Sequence, residues 1–214
     1  MSAHKPLTNN ELLKHAPALF TEEPHYEVSD KYRFVSSIEV INEIKKHNWY
    51  PTSVQVASVK DISKDGYQRH LVRFRHFDDL LNPKENAVEI LLFNSHDRST
   101  AFSISAGIIR FACINKLVIS DSLFESYKIK HIGDRDNDVL TAINNITAFK
   151  PQLEEKIQTL ESIELNKQEK QSFARSALPL RFDEHLEVDY NDLLLAHRAE
   201  DERNDIYTCL LYTS

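Results

Sequence analysis

The 214-residue sequence contains only three glycines, Gly66, Gly107 and Gly133, and they lie far apart along the chain. Phosphate-binding loops of the P-loop and Rossmann types need several glycines close together, because the backbone must approach the phosphates closely. The sequence therefore excludes both of these fingerprints and, with them, most classes of nucleotide-dependent enzyme. We predict no cofactor.

Cysteine is also scarce, since Cys113 and Cys209 are the only two in the chain. Two thiols cannot form a disulfide framework or, by themselves, a four-ligand zinc site. Cys113 lies in an apolar run, and we interpret it as a buried thiol. This cysteine usage is typical of a reducing compartment, which predicts a cytoplasmic protein.

Long apolar runs and an excess of basic residues are absent as well. No apolar run reaches the ~18 residues of a membrane span, and the N-terminus lacks the basic head and apolar block of a signal peptide. The chain carries 33 acidic and 26 basic residues, for a formal net charge of -7. We therefore expect no membrane partner, and any nucleic-acid binding would have to come from a local basic patch.

Apolar residues concentrate in Ala87–Ser120, and the periodicity of this region predicts a sheet. Alternating apolar and polar positions predict strands over Gln68–Phe77, Val88–Phe93 and Thr100–Ser105. Beyond this central hairpin the apolar spacing changes to three and four residues, which favours a short buried helix over Ala106–Ile114.

Helical patterns flank the sheet on both sides. A capping-box spacing predicts a short helix over Asn9–His15, and apolar residues three apart predict another over Ser37–His47. The longest pattern extends from Gly133 to Ile163, with Pro151 inside it, so we expect a kink or two consecutive helices. An exposed seam on this long pattern leaves oligomerisation open.

These elements predict an α+β protein. We expect an antiparallel β-sheet with a short N-terminal helix, a short buried helix after the central hairpin, and long C-terminal helices packed on the sheet. The predicted organisation is an N-terminal arm over 1–31, an α+β core over 32–131, a helical C-terminal part over 132–208 and a tail over 209–214.

Arginines of the strand Gln68–Phe77 alternate onto one face of the predicted sheet. Guanidinium groups bind phosphate in a fork geometry, so this basic stripe could contact nucleic acid. The alternative is a solvated sheet face on which the arginines pair with acidic neighbours. The candidate nucleic-acid-binding residues are Arg69, Arg73, Arg75, Arg98 and Arg110.

A second set of candidates lies in and around the polar turn of the central hairpin. It comprises His70, Asn94, Ser95, His96, Asp97, Asn115 and His131. Such groups could hold a metal or form a Cys/His pair with Cys113, but the spacing of a known metal motif is missing, and we predict no metal site. The alternative is that the hydroxyl and amide groups of the turn satisfy nearby backbone. The sequence weighs against an enzyme without excluding one.

Several short motifs occur in an order that is typical of one bacterial family. They are His70–Phe74, Asn94–Asp97, Arg110–Leu117, His131 followed by a turn, Arg198–Asp201 and the pair Asn204 and Asp205. On these motifs the chain resembles, from about Tyr32 to Tyr207, the phage- and plasmid-associated family known as domain of unknown function 932. Lys116 departs from the pattern, because the family has glycine there. The resemblance implies a mobile-element accessory function without a settled activity.

The end of the chain differs from the family pattern. Members usually continue beyond the Asn204 and Asp205 pair, whereas this sequence ends in Cys209–Ser214, which is similar to translated sequencing-adaptor read-through. We therefore expect a truncated member that lacks a C-terminal helical segment and whose residues 209–214 are not native.

Three functions remain open at this point. The first is a nucleic-acid-binding accessory protein of the single-stranded DNA annealing type, because the predicted order of helix, three strands and helix is similar to that of phage annealing recombinases. The second is an interaction protein that binds a host protein and blocks host defence. The third is a metal-dependent or Cys/His-dependent enzyme.

Overall fold

The structure is a computed structural model that describes residues 5–28, 34–59, 61–83, 86–110, 135–181, 189–195 and 202–213. The chain divides into two compact units, Met1–Phe149 and Lys150–Ser214. The domain boundaries expected from the sequence stay predictions. The α+β class is confirmed, since the chain combines a four-stranded antiparallel sheet with a short N-terminal helix and long C-terminal helices.

The first unit is built on a four-stranded antiparallel meander, in which each strand pairs with the next one in sequence. The strands are β1 (Trp49–Val56), β2 (His70–His76), β3 (Asn86–Asn94) and β4 (Ser103–Arg110). The β1–β2 and β3–β4 connections therefore lie at the same end of the sheet, which we call the loop end.

Strand β3 is buried on both of its faces. Val88, Ile90 and Leu92 on one face, and Glu89 and Leu91 on the other, are all fully shielded from solvent. A strand that is covered on both faces carries apolar residues at consecutive positions rather than alternate ones. This burial accounts for the continuous apolar run that begins at Ala87.

In the described part of the first unit, three short α-helices accompany the sheet: α1 (Asn9–His15), α2 (Ser37–Lys46) and α3 (Phe77–Leu81). The capping box predicted for α1 is confirmed, because the Thr8 backbone N–H donates to the Glu11 carboxylate at 2.8 Å while the Glu11 N–H donates to Thr8 Oγ1. The Ser36 hydroxyl caps α2 in the same manner.

The long helix α4 (Arg135–Ser162) begins in the first unit and continues into the second. In the first unit its Val139, Ala142, Ile143 and Ile146 are buried. The indole N–H of Trp49 donates to Thr147 Oγ1 at 3.0 Å. Pro151 lies inside one continuous helix and does not divide it in two.

The second unit also contains α5 (Lys167–Arg181) and α6 (Ile206–Thr213). The Asp205 carboxylate accepts from the Thr208 backbone N–H at 2.8 Å and so caps α6. In the part of the chain that the structure describes, no helix combines the length and the apolar character that a membrane crossing requires.

The short buried helix predicted over Ala106–Ile114 is wrong for residues 106–110, which belong to strand β4; residues 111–114 lie outside the described residues. The apolar residues Ile104, Ala106 and Ile108 also fit a two-residue period, so local spacing could not decide between helix and strand. The backbone N–H and C=O groups on both edges of β3 need hydrogen-bond partners, and β4 supplies these partners on one edge.

Gly107 of β4 provides a test of this packing. A Cβ atom at this position would lie 2.9 Å from Cδ1 and 3.4 Å from Cγ of the fully buried Leu91. We expect Gly107→Ala to lower the free energy of unfolding by about 1–2 kcal/mol through overpacking. Urea unfolding followed by the fluorescence of Trp49, the only tryptophan, measures this loss.

The control is the same substitution in a Leu91→Ala background, which removes both crowding atoms. There Gly107→Ala is expected to cost nothing, because alanine is otherwise better than glycine inside a strand. An equal loss in both backgrounds would contradict the crowding explanation.

Candidate functional site at the loop end of the sheet

Three segments, 21–28, 61–69 and 95–102, meet at the loop end. Thr21 Oγ1 donates to the Gly66 carbonyl at 2.6 Å. The His25 backbone N–H donates to the His96 carbonyl at 2.9 Å, and the His96 N–H donates to the Tyr67 carbonyl at 3.0 Å. The backbone of His96 therefore connects the N-terminal segment to both loops.

A buried polar network lies beneath these loops. Ser37 Oγ lies 2.7 Å from His70 Nε2, and Asn94 Nδ2 donates both to Ser37 Oγ at 2.9 Å and to the Val35 carbonyl at 3.1 Å. His70 Nδ1 lies 2.9 Å from the carbonyl of Gln68, so Nδ1 carries the proton and Nε2 accepts from the Ser37 hydroxyl. The network ties α2 to the ends of β2 and β3.

The turn after β3 satisfies its polar groups locally. Ser95 Oγ donates to the Thr100 carbonyl at 3.0 Å and accepts from the Thr100 N–H, while Asp97 accepts from the Ser99 N–H at 2.9 Å. Burial by itself would raise the pKa of Asp97, but the hydrogen bonds with Ser99 and Ser95 and the charge of Lys64 together lower that pKa. This pattern accords with the alternative in which the turn serves the backbone.

His96 differs from its neighbours because its ring is fully buried and, among the residues that the structure describes, neither ring nitrogen has a hydrogen-bond partner. The ring lies between Phe34 and His70, at centroid distances of 4.8 Å and 5.3 Å. The backbone of Ala18 approaches close enough to favour protonation but lies outside hydrogen-bond geometry.

Burial keeps both histidines neutral near neutral pH. Burial lowers the pKa of His96 to about 4. The nearby His70 also lowers this pKa, whereas Ala18 and Asp97 raise it. Burial also lowers the pKa of His70 to about 4, against the effect of its hydrogen bond with Gln68. In the described residues no group of three or more histidine, cysteine or acidic side chains is placed to hold a metal ion.

On the basic stripe of β2, Arg73 and Arg75 are paired with an acidic neighbour, as the alternative to nucleic-acid contact expected, but they are largely buried rather than solvated. Their role in binding nucleic acid stays a prediction. Arg73 Nε and Nη2 lie 2.6 Å and 3.0 Å from the Glu89 carboxylate, and Arg75 Nε lies 2.7 Å from it. The side chains of Arg73, Arg75 and Glu89 are 16%, 1% and 0% exposed. Glu89 stands opposite Arg75 in the β2–β3 register, so one carboxylate bridges both guanidinium groups.

At the loop end of the sheet, the exposed basic residues lie in the loops. Arg69 and Arg98 are exposed, and Lys64 is half-buried. Lys64 and Arg69 line one cleft together with Asp97 and Ser99, the two residues that flank Arg98. We call Lys64, Arg69 and Arg98 the basic rim. Sequence reasoning missed Lys64, although it precedes the Asp65 and Gly66 turn signal.

The remaining candidates do not join this site. Arg110 ends β4 opposite Asn86, at the far end of the sheet from the loop end. Asn115 and His131 lie outside the described residues, as does Cys113. The structure thus brings together His70, Asn94, Ser95, His96 and Asp97 with Arg69 and Arg98, and it separates them from Arg110.

The fold and site define an α+β protein in which an antiparallel meander carries neutral buried histidines beneath an exposed basic rim. Residues 24–209 match the family described as Domain of unknown function (DUF932), and the chain belongs to that family, as its motifs indicated. It is similar to the UPF0380 proteins YafZ and YfjQ of Escherichia coli (strain K12). Each is 28% identical over 205 residues, which cover 95% of this chain and 74% of the relative. No solved structure matches the chain.

The cluster of Arg73, Arg75 and Glu89 predicts a large effect of one substitution. Glu89→Gln would leave two largely buried guanidinium groups without the carboxylate that they share. We expect the free energy of unfolding to fall by about 3–5 kcal/mol, the usual cost of breaking a buried ion pair. Urea unfolding followed by Trp49 fluorescence measures it.

The matched control is Glu43→Gln, which removes a carboxylate that pairs with the exposed Lys46 at 2.6 Å. A pair of this kind contributes under about 1 kcal/mol. Similar losses in the two variants would show that the Glu89 cluster contributes no more than a surface ion pair.

Proposed function

We propose that this protein binds single-stranded nucleic acid at the loop end of its sheet. The observation that carries the proposal is the placement of the basic rim on two adjacent loops, while the arginines inside the sheet are largely buried and paired with Glu89. Exposed cationic side chains supply the electrostatic, sequence-independent part of nucleic-acid affinity. The binding surface is thus the end of the sheet rather than its face.

The backbone at Arg98 supports this assignment. Its φ is 64°, in the left-handed region that non-glycine residues avoid at a cost of roughly 1–2 kcal/mol. The turn nevertheless holds an exposed arginine there. Non-glycine residues with such a backbone conformation are more frequent at functional sites.

Exposed apolar side chains at the same end offer surfaces for bases. Tyr26 is 79% exposed and its ring lies 4.3 Å from that of His25, and Ile62 in the β1–β2 loop is 90% exposed. Bases stack on aromatic side chains with little dependence on sequence. The loop end thus combines cationic groups for the phosphates with an aromatic ring for a base.

Acidic residues of the same loops limit the strength of this binding. Asp61 accepts from the Ser63 N–H, Asp65 from the Gln68 amide, and Asp97 interacts with the charge of Lys64. Because these carboxylates offset part of the rim's charge, we expect weak binding that depends strongly on salt. A mobile-element accessory role belongs to the proposal and rests on the family resemblance alone.

The alternative function is the binding of a host protein. Phe77 and Leu81 on α3, at the end of the sheet opposite the loop end, are 44% and 63% exposed. Exposed apolar side chains of this kind suit a protein partner better than a nucleic acid. This alternative becomes the preferred one if nucleic-acid binding fails.

Fluorescence anisotropy with labelled oligo(dT) tests the proposal, in a titration that starts at about 50 mM salt. We expect the Arg69→Gln/Arg98→Gln variant to bind at least about tenfold more weakly. The slope of log affinity against log salt should fall by about 1.4, because two phosphate contacts are lost.

A charge-matched control is Lys156→Gln/Lys167→Gln, which removes two exposed cations from the second unit. This variant should keep the affinity of the wild type. Absence of binding at low salt, or equal weakening in the two double variants, would reject a nucleic-acid surface at the loop end.

A further inference from the structure

We propose that His96 is an acid-sensitive latch, whose protonation releases the loops at the end of the sheet while the sheet itself stays folded. The His96 carbonyl accepts from the His25 N–H and the His96 N–H donates to the Tyr67 carbonyl, so one residue fastens segments 21–28 and 61–69 to segment 95–102. This inference does not depend on nucleic-acid binding.

The surroundings of the ring suit the neutral imidazole and oppose the charged one. An imidazolium has two N–H donors, and in the described part of the chain neither His96 ring nitrogen has an acceptor within hydrogen-bond geometry. A buried charge without such partners is costly, so a protonated ring would have to move out toward water. Leaving its place between Phe34 and His70 would pull the His96 backbone away from Tyr67 and His25.

The ionisable and polar groups around His96 come from several elements. His70 on β2 opposes protonation, whereas Asp97 in the same loop and the Ala18 backbone in the 3₁₀ turn Pro17–Phe20 favour it. His25 contacts His96 through the backbone. The burial of the ring outweighs the two favourable groups and sets the pKa of His96 near 4.

Protonation of His96 favours the open form of the loops. The pKa of His96 is lower in the closed protein, about 4, than its ordinary value of 6.5, so the open form binds the proton more readily. The preference for closed loops is therefore complete above about pH 6.5 and is lost as the pH falls toward 4. At about pH 5 the ratio of closed to open loops should be about thirtyfold lower than at about pH 7.5.

The release should be local because the loops and the sheet are held in different ways. The loop end is fastened by a few long-range bonds, such as Thr21 to Gly66 and His25 to His96. The strands β2 and β3 are instead held by a continuous ladder over a buried core. Segments with few buried contacts open at lower free energy than core strands. His70 belongs to that ladder and stays neutral.

Hydrogen exchange of the full chain, measured by mass spectrometry and corrected for intrinsic rates, tests the latch. Between about pH 7.5 and about pH 5, protection of segments 61–69 and 95–102 should fall about thirtyfold, while segment 87–93 of β3 keeps its protection. Unchanged protection of the loops, or equal loss in β3, overturns the proposal.

A variant pair isolates the residue that acts. His96→Phe keeps a planar ring but cannot take up a proton, so its loops should be protected equally at the two pH values. His47→Phe, at the half-exposed end of α2, should retain the dependence of the wild type. If His96→Phe keeps the full dependence, the latch is not His96.

A direct titration covers the case in which His96→Phe does not fold. The Cε1–H resonance of His96 in the wild-type protein, followed by NMR, should titrate with a pKa of about 4. A pKa near the ordinary 6.5 would overturn the proposal whatever the variant does.

Discussion

The burial of β3 on both faces is the constraint on which the rest of the first unit depends. A polar side chain on this strand is shielded from water, so it must form its hydrogen bonds or ion pairs within the protein. Glu89 binds Arg73 and Arg75 across the β2–β3 pair, and Asn94 binds Ser37 and the Val35 carbonyl. The charge cluster and the polar network both provide partners for polar side chains of β3 that are shielded from water.

This constraint also decides where the protein can meet a ligand. The β2 arginines Arg73 and Arg75 are paired with Glu89 inside the sheet, so the exposed cations at the loop end are those of the loops. The same loops rest on a layer of neutral histidines. In this arrangement the rigid sheet supplies the position of the surface, and the loops supply its chemistry.

Local signals in the sequence predicted part of this structure. The capping box at Thr8 and the apolar residues three apart over Ser37–His47 identified two helices, because both signals depend on residues within about one helical turn. The β4 residues 106–110 were mispredicted, since their spacing fits two periods and only the pairing with β3 selects one. The partners of Arg75 and His96 lie on other strands and loops, so no local pattern could reveal that Arg75 is buried against Glu89 or that the His96 backbone joins three segments.

The bond between Trp49 and Thr147 has a consequence for the order of folding. Each hairpin of the meander joins strands that are neighbours in sequence, whereas this bond closes a loop of 98 residues. The entropy lost on closing a loop grows with its length, although only slowly, and contacts between distant residues slow folding. We therefore expect the meander to form first and the first half of α4 to dock on it afterwards, with the indole as the point of attachment.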